Sequence, residues 1–278
     1  MRESWWLKVD RAEHHFIDLD VEIRKYESKH AYGPVHKPNR GGDKNRWVYV
    51  LQITEQPDAD LSLILGDVVH NLRTALDHVL VAMRPRNLRW NSGFPLNDVD
   101  IWAKDAAGEF VSRDHKRRAS FTNAVEGLEA PAIALIKELQ PYSMANDGFD
   151  AKLHPLGILG RLDNADKHRE LVLLSGGVIN LVAKVVARGE RILQGPTTPD
   201  GTIGYVPDGA VCAHFGWHGT TPLEESEMDV KISGTPEVAV DIGVPKGIMG
   251  VRVAVELITR NLKEEVLPAL EEYVIRKS

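Results

Sequence analysis

Between residues 70 and 78 the chain sets His70, Asn71, Arg73, Thr74, Asp77 and His78 close together. An imidazole with an ordinary pKa of about 6.5 gives or takes a proton near neutral pH. A guanidinium keeps its charge and offers a planar fork that matches phosphate or carboxylate oxygens. Asp77 can fix the tautomer of an imidazole or pair with Arg73 one turn below. The neighbourhood is also unusual for what it lacks. Neither Lys nor Glu occurs from Gln56 to Ala103, although these residues ordinarily fill a solvated helix face.

The element that must position these side chains is a helix over 58–84. Leu61, Ile64, Leu65, Val68, Leu72, Ala75, Leu76, Val79 and Met83 recur at steps of three and four, the period of a helix with one buried face. Asp58 or Asp60 caps its start and Pro85 ends it. At about 100° per residue, Asp67, Asn71, Thr74 and His78 form one stripe, and His70, Arg73 and Asp77 a neighbouring one. The seven residues make one polar patch.

A second cluster falls on a helix predicted over about 154–170, whose apolar stripe runs Ile158 (or Leu159), Leu162 and Ala165. The next slots hold Asp166 and Arg169, which are expected to be at least partly buried and therefore paired. Asp163, Asp166, Lys167 and His168 are expected to face the patch on 58–84. The cluster is either a shared site or a set of salt bridges that ties two helices together. A metal reading would draw on His70, His78, Asp163, Asp166 and His168. Against it, His70 and His78 are about 80° apart around the helix and cannot chelate as an i, i+4 pair can. Cys212, His214 and His218 are read as structural, because the third would reach the first two only through a turn at Gly216. No metal or cofactor is expected.

The remaining stretches supply scaffold. Residues 5–27 form a helix with His14 and His15 solvated on it. Residues 31–46 read as a polar loop, with Lys37, Arg40, Lys44 and Arg46 available to phosphate, and 46–53 as a short strand. An irregular stretch over 85–123 carries the best basic run, with Arg113, Lys116, Arg117 and Arg118 as RNA-contact candidates. A helix follows at about 124–139, starting later if Pro131 sits in its first turn. From 171 to 245 Gly- and Pro-punctuated apolar runs predict five to seven strands. A closing helix over about 247–276 contains Pro268, which kinks or splits it.

Composition narrows the class. With 278 residues and 43% hydrophobic residues, the chain can bury a core, and no apolar run is long enough for a membrane span. The charged N-terminal stretch lacks the apolar core of a secretion signal. The single cysteine fits a reducing cytoplasm. The net charge of −6 argues against whole-surface attraction to nucleic acid, but leaves room for a local basic patch.

The spacing Arg73-x4-His78 resembles the R-x4–6-H motif of the HEPN superfamily, helical bundles many of which are metal-independent ribonucleases. A polar residue often follows the arginine in that family, a place that Thr74 fills only weakly. The resemblance implies a homodimer with the motifs near its two-fold axis, and RNA cleavage of toxin or defence type. His78 would serve as base or acid, and Arg73 would hold the phosphorane charge. Asn71 or His70 would position the phosphate, and Asp77 would fix a tautomer. The wider pattern GDVVHNLRTALDH, Phe94-Pro95, LQPY at 139–142 and LDNADKHREL resembles a group of uncharacterised bacterial and phage-type proteins. It implies a shared fold and carries no activity.

The expected architecture is α+β: a helical bundle of about five helices, the last of them a C-terminal helix over 246–278 that packs back on the bundle of 1–170, with a β-rich region over 171–245 inserted before it. The leading functional expectation is a cytoplasmic, HEPN-like protein that cleaves or binds RNA. One alternative is a non-catalytic interaction protein whose polar helix face is a buried ion-pair network. The other is a metal-dependent hydrolase.

Overall fold

A computed structural model describes residues 3–29, 31–37, 46–85, 93–112, 114–143, 150–168, 173–188, 190–192, 205–216, 221, 223–243 and 247–275. The fold is α+β. Its two longest helices, α1 (Ser4–Ser28) and α2 (Ala59–Met83), pack together along their length. The apolar positions of α2 that periodicity assigns to its core face are buried, except for the half-buried Ile64. Asp58 caps α2 by accepting from the Asp60 N–H at 3.1 Å. Arg84 leaves the helix in an extended conformation, as a residue before proline should.

Four more helices complete this half: α3 (His115–Ala124), α4 (Ala130–Glu138), α5 (Pro155–His168), and a long C-terminal helix made of α6 (Val251–Asn261), a π turn (Leu262–Val266) and α7 (Leu267–Glu271). Among the described residues, six helices therefore stand where about five were expected. The extra one is α3, which turns the basic run of the presumed irregular stretch into a helix, capped by Asp114 accepting from the Arg117 N–H. Pro268 accounts for the π turn. It has no N–H for the carbonyl four residues back, and its ring crowds that carbonyl, so the helix widens instead of breaking. No described helix is long and apolar enough to cross a membrane.

The strands form two antiparallel sheets. One has the order β1 (Tyr32–Lys37), β2 (Arg46–Ile53), β6 (Val211–Gly216). The other has the order β4 (Glu190–Ile192), β3 (Leu173–Ala187), β7 (Met228–Asp241), β8 (Ile248–Gly250), with β5 (Tyr205–Val206) also paired to β3. Two expectations change here. Residues 32–37 are a strand instead of loop, and its Pro34 is tolerated because β1 is an edge. Residues 248–250 are a strand paired antiparallel with 239–241 of β7, so the last helix starts at Val251.

Two apolar cores result. One lies among the helices and takes in Val238, Val240 and Ile242 from the end of β7. The other lies between the sheets around Trp47, Leu51, Val185, Cys212 and Phe215. At Gly176 a Cβ would stand 1.9 Å from the Tyr26 hydroxyl oxygen. Only glycine lets α1 lean that close to β3.

The stretch from Gly93 to Asp98 has no regular structure, and one buried amide holds it. The Gln140 Oε1 accepts from the Asn97 N–H at 3.0 Å and from the Asn97 Nδ2 at 3.2 Å. Its Nε2 donates to the Pro95 carbonyl at 3.0 Å and the Ile136 carbonyl at 2.9 Å. Gln140 is fully buried and uses its whole bonding capacity. Gln140→Leu keeps the volume but orphans the Asn97 N–H and the Pro95 carbonyl. It should cost about 2–4 kcal/mol in urea unfolding. A loss below about 0.5 kcal/mol would show that this amide does not hold the segment.

Candidate functional site

The polar face of α2 divides between two neighbours. On one side, Arg73 and Asp77 grip the peptide of Phe94. The Arg73 Nη2 donates to the Phe94 carbonyl at 2.6 Å, and Asp77 Oδ1 accepts from the Phe94 N–H at 2.7 Å. Arg73 Nη2 lies 3.4 Å from Asp77 Oδ1, and its Nε lies 3.7 Å from Asp163 Oδ2 on α5. Asp163 also accepts from Lys167, one turn on, at 2.7 Å. The three central side chains are well covered, with 14% of Arg73, 18% of Asp77 and 5% of Asp163 exposed. A Cβ at Gly93 would stand 2.8 Å from Asp77 Oδ1 and 2.9 Å from Arg73 Nη2. The grip requires glycine there.

On the other side, the buried Asn71 donates to the Asp67 carbonyl at 2.8 Å and accepts from Lys8 of α1 at 3.2 Å. His78 is half-buried. Burial lowers its pKa, Lys8 adds to that, and Asp77 opposes it. His70 is exposed, and its carbonyl accepts from the Thr74 hydroxyl at 2.7 Å. Arg73 and His78 stand about 140° apart around the helix. The expected single patch is two separate clusters.

The second motif is brought together in part. Asp163 and Lys167 join the Arg73 network, but Asp166 is exposed and does not occupy the buried slot that periodicity gave it. His168 ends α5, and its side chain, like all of Arg169, lies outside the described residues. The basic run also divides. Arg113 lies outside the described residues and Lys116 is exposed. Arg118 is buried over the Phe110 ring, 4.3 Å from its centre, and donates to the Ile101 and Ser112 carbonyls at 3.2 and 2.6 Å. It is internal cement and not a surface contact for RNA. Arg117 is half-exposed and pairs with Asp98 at 2.9 Å and Asp114 at 3.1 Å.

Arg117 and Arg73 border one cleft of about 520 Å³ between α3, α5 and the 93–98 segment. Its third cation, Arg161, did not stand out in the sequence. The Arg161 Nε donates to the Ile242 carbonyl at 2.6 Å, and its Nη2 donates to the Lys152 carbonyl. Burial lowers its pKa, against the pull of Asp98 and Asp150. Gly157, Gly160, Arg161 and Asn164 line the cleft at helical spacing. At Gly160 a Cβ would come within 3.3 Å of Leu96. Two glycines inside a helix cost stability, and that cost was the available sequence signal for a close approach on this face.

Among the described residues, several buried polar atoms have no hydrogen-bond partner, and three of them belong to residues that line this cleft: Arg73 Nη1, Arg161 Nη1 and Asp163 Oδ1. Two donors and one acceptor, all buried, thus have no hydrogen bond among the described residues. Among the described residues, no three His, Cys, Asp or Glu side chains are grouped to hold a metal ion. In the described part of the chain, His70, His78, Asp163 and Asp166 do not form the ligand set of the metal reading.

Two measurements check this geometry. Asp163→Ala leaves part of the Arg73 charge uncompensated and should cost about 3 kcal/mol, while Asp166→Ala should stay within about 0.5 kcal/mol. Equal losses would place the buried acid wrongly. The second is pH. Burial lowers the pKa of His78 and of His154, whose Nδ1 accepts from the Leu156 N–H at 3.2 Å. The unfolded chain then takes up protons first, so stability is full above about pH 6.5 and falls below it. The melting temperature should drop as the pH falls below about 6.5, and less steeply in His154→Gln. A flat profile would contradict neutral, buried imidazoles.

Compared with known proteins, the chain matches no family model, no curated protein and no solved structure.

Proposed function

We propose that this chain binds RNA through the cleft bordered by Arg73, Arg117 and Arg161, and that the α2–α5 ion pairs build its floor. The observation that carries the reading is the pair of buried, unpartnered donors, Arg73 Nη1 and Arg161 Nη1, on one cleft. Three guanidiniums face two carboxylates there, Asp98 and Asp163. Asp77 and Asp114 pair with Arg73 and Arg117 from just behind that lining. Guanidinium forks suit phosphate oxygens. Asp163 Oδ1, an acceptor without a donor, suits a 2′-hydroxyl, the group that marks RNA.

Binding is favoured over cleavage for a geometric reason. A HEPN-like reaction needs Arg73 and His78 at one phosphate, whereas Arg73 is turned to α5 and the Phe94 peptide and His78 lies on the Lys8 side. The alternative of a buried ion-pair network survives within this reading as the scaffold of the cleft.

The test is anisotropy of a labelled single-stranded RNA with the purified chain in EDTA. Binding should weaken steeply with salt, as phosphate contacts do. It should weaken about tenfold in Arg117→Gln, the loss of one charge-assisted contact, and stay unchanged in His78→Ala. The RNA should remain intact. No retention at low salt would refute binding, and cleavage abolished by His78→Ala would restore the nuclease reading.

A further inference from the structure

The cleft has features that a run of RNA backbone does not need. Its volume of about 520 Å³ lies in the range of small-ligand pockets and suits one nucleotide better than a length of strand. Its polar groups are of two kinds. Arg73 Nη1 and Arg161 Nη1 are buried donors without partners, while Asp163 Oδ1 is a buried acceptor without one. An internal phosphodiester carries one charge and two free oxygens. A phosphate monoester carries up to two charges and three such oxygens, a closer match to several guanidiniums in one cleft. Asp163 repels phosphate, so whatever meets it must donate a hydrogen bond. The partly exposed Leu96 adds apolar lining on which a sugar or base can rest.

The walls are preset. The 93–98 segment is clamped by Gln140 on one side and by Arg73 and Asp77 on the other. Arg161 is held by two backbone carbonyls, which leaves its Nη1 as the uncommitted end of the fork. Asp98 is the nearest anion to that nitrogen, at 3.9 Å, too far for a hydrogen bond. Donors fixed in place before the ligand arrives lose little freedom on binding.

We infer that the cleft takes a terminal nucleotide: a phosphate monoester on the free ends of Arg73 and Arg161, with a ribose hydroxyl donating to Asp163. The same chemistry is offered by the phosphorylated end of an RNA strand and by a free nucleoside monophosphate. This rests on the RNA-binding reading and narrows it to the strand end.

Calorimetric titration of the full chain separates the possibilities. The probes are one RNA tetranucleotide with a 5′-phosphate, with a 3′-phosphate and with neither, its 2′-deoxy counterpart with the preferred phosphate, adenosine monophosphate, and inorganic phosphate. One phosphorylated form should bind at least about tenfold tighter than the bare oligonucleotide, the scale of one charge-assisted contact. The deoxy form should bind several-fold more weakly than its RNA equivalent. Competition by adenosine monophosphate would place the free nucleotide in the cleft; its failure, with the phosphate preference kept, would assign the cleft to strand ends. Arg161→Lys should erase most of the phosphate preference, weakening the phosphorylated form far more than the bare oligonucleotide. Melting curves must show it folded, because Arg161 also holds Ile242 and Lys152. Arg117→Gln is the contrast, since Arg117 makes no contact with those carbonyls: it should weaken the phosphorylated and bare forms alike, about tenfold, and keep the phosphate preference. Equal affinity with and without a terminal phosphate overturns the inference and leaves RNA binding standing. Binding only by inorganic phosphate, or by no probe at all, overturns both.

Discussion

The cleft depends on how Arg73 and Asp77 hold the peptide of Phe94. Two charged side chains one helical turn apart take up both the carbonyl and the N–H of that peptide, at 2.6 and 2.7 Å. They replace for an irregular segment what a neighbouring strand would supply. The arrangement confines the chain on every side. Residue 93 must be glycine because the carboxylate and guanidinium already occupy the space of a Cβ. α5 must bring an anion, because two charges on Arg73 and Asp77 alone would leave the guanidinium short of partners in a covered place. Gln140 must then fix the other end of the segment, since a wall pinned at one point would swing.

This explains why the face of α2 lacks Lys and Glu. Long flexible charges would lose more side-chain entropy when covered, and their reach would overshoot a peptide lying directly against the helix. Short Asp and a planar Arg fit. On the Lys8 side the same face uses Asn71 in a similar way, bonding its own helix and its neighbour.

Much of this was legible because helix period is a local property. The steps in α1, α2 and α5 locate their buried faces, and the missing Lys and Glu mark α2 as covered. What failed was distance along the axis. Periodicity points Asp166 in the same direction as buried Leu159 and Leu162, yet Asp166 is exposed, as are Asn164 and Lys167 beside it, because the last turn of α5 runs past its cover. The buried acid is Asp163, within the covered length. Direction is written in a sequence, but the reach of a partner helix is not. The same limit hid β1, whose strand conformation is fixed by pairing with β2, and Arg118, whose burial is set by Phe110 and the Ile101 carbonyl. Arg161 was hidden twice over, since its anchors, Ile242 and Lys152, lie on separate elements.

A network serving stability alone would be expected to close on itself. Buried ion pairs contribute little net stability, and apolar side chains of similar volume often replace them without loss. Gln140 shows what closure looks like here: every donor and acceptor it has is used inside the protein. Arg73, Arg161 and Asp163 are held as firmly, yet each keeps one buried polar atom without a protein partner, and all three line the same cleft. An unmet buried donor costs on the order of 1–3 kcal/mol. Two such donors and one acceptor, gathered around one opening between walls fixed by satisfied bonds, set this cluster apart from the closed network around Gln140.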